Sequence, residues 1–244
     1  MNRDDILRSA KAGYIRMVMG AGGLLDRVGV LPGPAPQRDR RVRHWAYSLR
    51  LIHDSAGLAA LDVPWWTYRA SAFVERWIRS RTEPVRVFEY GSGASTVWLA
   101  RRAAEVHSVE HDATFAREFA PMLAGQRSAR LQIVPAVPSR SPSISSAKEG
   151  WRGLDFSDYV AAIDGVDGDF DLVVIDGRAR EACLRKALPR LHREGIIVFD
   201  DSWRRRYRAA IDAADVDQRR FGGLTPTMPY PTQTSVLTPG RRRR

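Results

Sequence analysis

The residues of this sequence best suited to chemistry are carboxylates and glycines set at strand ends. Val85, Val87 and Phe88 read as a short buried strand that closes on Glu89 and Tyr90, followed by Gly91-Ser92-Gly93. Glycines there let backbone approach a ligand where a Cβ would collide, and the start of a helix over Ser95–Arg102 offers unpaired N–H groups. An acidic Glu89 just before the turn suits a ligand bearing an ammonium or sulfonium cation, not a phosphate. Past the helix, Val106–Glu110 reads as a second strand ending in a carboxylate, the position from which an acidic residue accepts hydrogen bonds from ribose hydroxyls in doubly wound folds. A solvated strand-end charge is the plainer reading of Glu110. Asp176, Asp200 and Asp201 close two further apolar runs, Val173–Asp176 and Ile196–Asp201.

Positioning these groups requires alternating strands and helices. Strands are expected near 85–90, 106–110, 131–134, 171–176 and 195–200, with a last strand over Thr232–Leu237. That rhythm predicts a mostly parallel sheet with helices on both faces. Upstream, Val42, Trp45, Ala46, Leu49 and Ile52 mark one helix over Val42–Leu58, with His44 and His53 near it as surface or packing residues. Ala70, Phe73, Val74, Trp77 and Ile78 mark another. Between them Pro64-Trp65-Trp66 offers aromatic faces, either for an acceptor pocket or to cover the sheet or a subunit contact. Leu184, Ala187, Leu188 and Leu191 predict a helix over Ala182–Leu191, on which Cys183 is a packed small residue. Pro135–Gly150 breaks the rhythm. Rich in Ser and Pro, after the third strand, it is expected as a lid; Asp155–Ile163 is expected as a short helix.

Glu89–Thr96, Ser108–Asp112 and Phe170–Arg180 resemble the motifs of class I S-adenosylmethionine-dependent methyltransferases, and Asp62–Tyr68 and Gly195–Ser202 extend the match. Within these, the chain is similar to a small bacterial subgroup, over about Leu61 to Leu237. The resemblance implies a Rossmann-like, doubly wound, seven-stranded sheet with its last strand antiparallel, and S-adenosylmethionine as cofactor. It implies Glu89, Gly91, Gly93, Ser95, Thr96, Glu110, His111 and Asp176 as cofactor-binding residues, with Asp176 also the catalytic residue. Gly91 and Gly93 would admit the methionyl end, Glu89 would favour its ammonium group and Glu110 would hold the ribose. Glu110→Ala is accordingly expected to weaken binding with the fold intact. The acceptor is expected to be a small molecule or glycan-related compound methylated on oxygen. Asp176, Asp200 and Asp201 also resemble the Asp…Asp-Asn metal set of catechol-type O-methyltransferases, but Asp201 stands where that set has Asn. No metal is expected, and helix capping stays open for Asp200 or Asp201.

Composition narrows the alternatives. The chain of 244 residues carries a net charge of +11, yet lysine occurs only at 11, 148 and 186, so arginine supplies 36 of the 39 basic residues. No RNA-binding sheet motif, zinc finger or interleaved aromatic stripe accompanies the charge, so specific nucleic-acid binding is not expected. No apolar run approaches a membrane span and no cleavable leader is visible. The single Cys183 excludes an intrachain disulfide, and the expected location is cytoplasmic. Residues 1–36 read as a basic amphipathic arm (Ile6, Ala10, Tyr14 and Met17 on one stripe) and a Pro-rich linker. Such an arm packs on its own domain or on a second copy, or touches an anionic membrane surface weakly. The domain is expected over 37–240, with N-terminal helices at 37–82 and the core at 83–240; 241–244 is a solvated basic tail. An aminopropyl-type transferase or a non-catalytic interaction module on the same fold remain the alternatives. A nicotinamide dehydrogenase is disfavoured, because Thr96 stands where that fingerprint has glycine.

Overall fold

The computed structural model describes residues 34–51, 54–148 and 150–240. The amphipathic arm over 1–33, Ile52, His53 and the Arg241–Arg244 tail lie outside the described residues. Strands β1 (Arg86–Tyr90), β2 (Glu105–Glu110), β3 (Ala129–Ile133), β6 (Phe170–Ile175), β7 (Leu191–Phe199), β8 (Val216–Thr225) and β9 (Met228–Pro239) form one sheet in the order β3-β2-β1-β6-β7-β9-β8. The strands from β3 to β7 are parallel, and β9 runs antiparallel to both β7 and β8. This is the seven-stranded doubly wound sheet expected, with the last strand reversed.

Strand alternation divides the core between the two faces. On β6, Val173 and Ile175 join Phe88, Tyr90, Ile197 and Phe199 on one side, beneath α6 (Ser157–Ala161), α7 (Arg180–Ala187) and α8 (Arg205–Asp212). Leu172 and Val174 join Val87, Ile196 and Val198 on the other, beneath α3 (Tyr68–Arg79) and α4 (Ala94–Ala100). A strand stretch buried on both faces must be apolar, which is why Leu172–Ile175 is legible as central. Helix α3 begins where the Thr67 side chain accepts from Ala70 N (3.3 Å), and its stripe Ala70, Val74 and Ile78 is buried. Because Thr67 also donates to Phe221 O (3.1 Å) and its own N–H reaches Thr234 Oγ1 (3.1 Å), the same residue ties the helix to β8 and β9.

Four local expectations change. The helix expected over Val42–Leu58 divides into α1 (Arg41–Ser48), a 3-10 turn and α2 (Ser55–Ala60), because Asp54 caps a new helix by accepting from Gly57 N at 2.8 Å. Val42 is exposed, whereas His44 is buried against the Tyr68 hydroxyl (2.7 Å), a packing histidine. Helix α7 stops at Ala187, and β7 already begins at Leu191. The seventh strand is β8, which no expected strand marked, since Asp217, Gln218, Arg219 and Arg220 hide its alternation. Within Pro135–Gly150 and the residues after it, β4 (Val137–Pro138) pairs with β5 (Leu154–Asp155) as a small separate ribbon. No helix among the described residues is long and apolar enough to cross a membrane.

Candidate functional site

The carboxyl ends of β1, β2, β6 and β7 converge on one edge of the sheet. At Gly91 the backbone takes φ +96°, a conformation L side chains rarely adopt, and an added Cβ would lie 2.6 Å from Gly177 N. Gly91 and Gly177 are therefore packed backbone to backbone, with Asp176 N and Gly177 N both donating to Tyr90 O (2.9 and 2.7 Å). Gly93 differs. Its φ of 168° is ordinary extended backbone, and an added Cβ would meet only the Trp65 ring, at 3.6 Å. Nothing among the described residues requires glycine there.

Glu89 lies beneath this turn, with no exposed surface. Ser95 Oγ and Thr96 Oγ1 donate to its carboxylate at 2.5 Å and Ser108 Oγ at 2.7 Å, and Thr96 Oγ1 accepts from Gly93 N at 3.0 Å. Burial pushes the Glu89 pKa up to about 7, and the three hydroxyls pull against that shift. The expected contact between Glu89 and a ligand ammonium is thus not a direct one: the carboxylate clamps the first turn of α4. Of the residues from Glu89 to Thr96, Gly91, Ser92 and Ser95 line the open space, while Glu89, Gly93 and Thr96 lie behind it.

Glu110 ties two turns together. Its Oε1 accepts from His111 N and Asp112 N (both 2.8 Å), and its Oε2 accepts, among the described residues, only from Ser92 N, at 3.0 Å. An ionised oxygen can accept more than one donor, so Oε2 retains capacity toward the cleft. The His111 ring nearly vanishes from solvent, packed edge-on against Trp151 (centroids 4.4 Å apart) and near Phe156 and Tyr159. Its Nδ1 is 2.7 Å from Glu110 Oε1 but out of line for a hydrogen bond, so both ring nitrogens lack a hydrogen-bond partner.

At the ends of β6 and β7, Arg180 occupies the space among the aspartates. It pairs with Asp176 Oδ1 at 2.7 Å, stands 3.7 Å from Asp200 Oδ2, and donates to the carbonyls of Asp176, Gly177 and Asp200. Burial, with Asp201 nearby, pushes the Asp176 carboxyl up against the pull of Arg180. Asp200 is raised further by burial and by Asp176, and it accepts from Thr234 Oγ1 at 2.8 Å. Asp201 pairs with Arg204 at 2.6 Å. Among the described residues no group of three or more His, Cys, Asp or Glu could hold a metal ion, and a guanidinium already supplies the positive charge between Asp176 and Asp200.

These groups line one cleft of about 780 Å³, within the range of small-molecule sites. Its lining includes Glu110, His111, Phe115 and Trp151, with Ala147 and Lys148 of the Ser/Pro-rich segment; Gly91, Ser92 and Asp176 at the ends of β1 and β6; and Arg178, Arg204, Arg206, Tyr207 and Thr227. The Trp pair divides its labour: Trp65 lines the cleft and donates to Thr227 Oγ1 (2.9 Å), while Trp66 is buried on Trp98. A nucleoside-bearing cofactor fits this donor set. Glu110 supplies an acceptor with spare capacity, His111 and Trp151 supply aromatic faces, and His111 Nε2, unpartnered among the described residues, supplies a polar atom that a ligand would satisfy.

Residues 88–202 match the family described as methyltransferase domain. Among solved structures, an rRNA methylase from Streptococcus thermophilus shares 12% identity at a TM-score of 0.50, over 69% of this chain and 95% of its own. A SAM-dependent O-methyltransferase from Thermotoga maritima shares 16% at 0.48, over 81% and 72%. A methyltransferase-like protein from Silicibacter pomeroyi shares 24% at 0.43, over 70% and 88%. No curated protein sequence matches the chain. Its glycine turn, its strand order and the match over residues 88–202 agree on a methyltransferase domain within this chain.

Proposed function

We propose that the protein methylates a hydroxyl of a small-molecule or glycan-related acceptor, with Asp176 as the base. The observation that carries this is the placement of Asp176. Its carboxylate lines the same cleft as Glu110, His111, Arg178 and Tyr207, with 18% of its side chain exposed, and burial raises its pKa against the pull of Arg180. Bound S-adenosylmethionine supplies a methyl group on a sulfonium, open to in-line attack. Glu110 would accept the ribose hydroxyls, His111 and Trp151 would flank the base, and Ser92 and Ser95 would meet the methionyl end. Glu89, Gly91, Gly93 and Thr96 shape the turn that carries them. Asp176 would take the proton of the attacking hydroxyl, and Arg180 would hold the carboxylate in place. Most of the rate gain would come from alignment, which supplies on the order of 7–11 kcal/mol in well-oriented reactions.

Calorimetry with S-adenosylmethionine, S-adenosylhomocysteine and NAD tests the cofactor half. Binding of the first two and not of NAD is expected, and the reverse would remove the reading. Mass spectrometry of candidate glycan and small-molecule hydroxyl acceptors, with and without the protein, tests the acceptor half through a gain of 14 mass units per methyl. Methyl transfer only to a nitrogen or to RNA would overturn it.

A further inference from the structure

We propose that the acceptor carries an anionic group, a carboxylate or a phosphate, which Arg178 receives inside the cleft with Arg206 beside it. The inference rests on the cleft being the methyl-transfer site and names the class of acceptor it takes.

In the lining of the cleft four arginines meet three aspartates: Arg178, Arg180, Arg204 and Arg206 against Asp176, Asp200 and Asp201. The pairing is uneven. Arg180 takes Asp176 and lies near Asp200, and Arg204 takes Asp201. Arg206 reaches Glu181 only at 3.9 Å and otherwise donates to the Tyr207 hydroxyl at 3.0 Å, its guanidinium 4.6 Å from that ring's centre. Arg178 has no carboxylate within 4 Å among the described residues. Among the described residues its guanidinium makes one hydrogen bond, a long 3.4 Å contact to the carbonyl of its own neighbour Gly177, and its Nε is buried with no partner.

A guanidinium withdrawn from water without a counter-charge is unfavourable, and buried cations are as a rule paired. The half-buried Arg178 has its charge opposed by burial and by the adjacent Arg180, which lower its pKa, and Asp176, already paired with Arg180, offsets this only in part. The backbone enforces the arrangement. Ala179, between the two arginines, is held at φ +50°, a left-handed conformation that costs a non-glycine residue energy. Across that turn Arg180 folds onto three backbone carbonyls and Asp176, and Arg178 is left in the cleft. A planar, five-donor cation with unused N–H groups is the side chain best matched to a carboxylate or phosphate.

The test is calorimetry on the full chain, with circular dichroism to confirm folding. Wild type, Arg178→Gln and Arg206→Gln are each titrated with S-adenosylhomocysteine, and the loaded proteins are then titrated with inorganic phosphate. The expected result is phosphate binding by wild type, weakened about tenfold or more in Arg178→Gln and several-fold in Arg206→Gln, with S-adenosylhomocysteine affinity within about twofold of wild type. No phosphate binding by wild type, or equal binding by both variants, overturns the proposal. So does an Arg178→Gln protein that loses affinity for S-adenosylhomocysteine but keeps it for 5′-methylthioadenosine, since the arginine would then read the cofactor's own carboxylate. If Arg178→Gln does not fold, Arg206→Gln and Arg178→Lys decide on the same criteria. Failure of wild type to bind S-adenosylhomocysteine would instead strike the cofactor reading, and phosphate titration of the ligand-free protein would still report on the arginines.

Discussion

Replacing Glu110 separates two duties that the structure gives to one carboxylate. Three backbone donors end on it: His111 N and Asp112 N on Oε1, and Ser92 N on Oε2. A hydrogen bond to a charged group contributes about 1.5–3 kcal/mol, and water from the neighbouring cleft would recover part of it. Glu110→Ala is therefore expected to lose about 3–5 kcal/mol of stability, a large share of the roughly 5–15 kcal/mol of an ordinary domain. The fold is still expected to form, but at a cost that a solvated carboxylate at a strand end would not carry. In Glu110→Gln the amide oxygen can keep the Oε1 pair while the amide nitrogen loses Ser92, so the cost should fall to about 1–2 kcal/mol.

Affinity should behave differently. Either variant removes the charged acceptor at Oε2, and S-adenosylhomocysteine binding should weaken by roughly 10- to 150-fold in both, the equivalent of about 1.5–3 kcal/mol. Guanidinium denaturation followed by tryptophan fluorescence and circular dichroism reads the first quantity, and calorimetry the second. Wild-type affinity in Glu110→Gln would refute the ribose assignment. An unchanged denaturation midpoint in Glu110→Ala would refute the bridging role.

Three further outcomes are expected. Asp176→Asn should lower kcat by about 10²- to 10⁴-fold with S-adenosylhomocysteine affinity preserved, and turnover that instead vanished with a chelator and returned with Mg²⁺ would replace the base with a metal. Glu89 has a folded pKa of about 7 against 4.5 as its ordinary value, so the folded state binds the extra proton between them; stability should fall as pH rises from about 4.5 through about 7, and Glu89→Gln should flatten that slope in denaturant melts. Gly91→Ala should cost more than about 3 kcal/mol, because it joins positive φ to a clash with Gly177 backbone, whereas Gly93→Ala should leave the melting temperature nearly unchanged and Gly93→Val should lower cofactor affinity. Equal stability losses at the two glycines would show that chain packing, not a ligand, fixes both.

What the sequence makes legible follows from how local each cause is. The double-sided burial of Leu172–Ile175 needs no partner to be recognised, and it places Asp176 at the sheet edge without further information. Gly91 is readable for the same reason, since strand, turn and helix are contiguous. Strand β8 is not, because its place depends on pairing with β9 and on the hydroxyl and carbonyl contacts of Thr67, none of which leaves an alternating pattern in Val216–Thr225. Glu89 is the more instructive case. A carboxylate before a glycine turn looks ligand-facing until Ser108 is seen opposite it in the β1–β2 register and Ser95 and Thr96 fold back from α4. Three hydroxyl donors from two other elements then make a better neighbour than a distant ammonium, and the same acidic residue acts through the turn it holds. Arg178 inverts that logic. Its place in the Phe170–Arg180 motif does not say which anion it meets, and it becomes specific only because Arg180, two residues on, has already taken the nearest carboxylate. The parts of the site that depend on which charges remain unmatched after folding are thus the parts that bear on the acceptor.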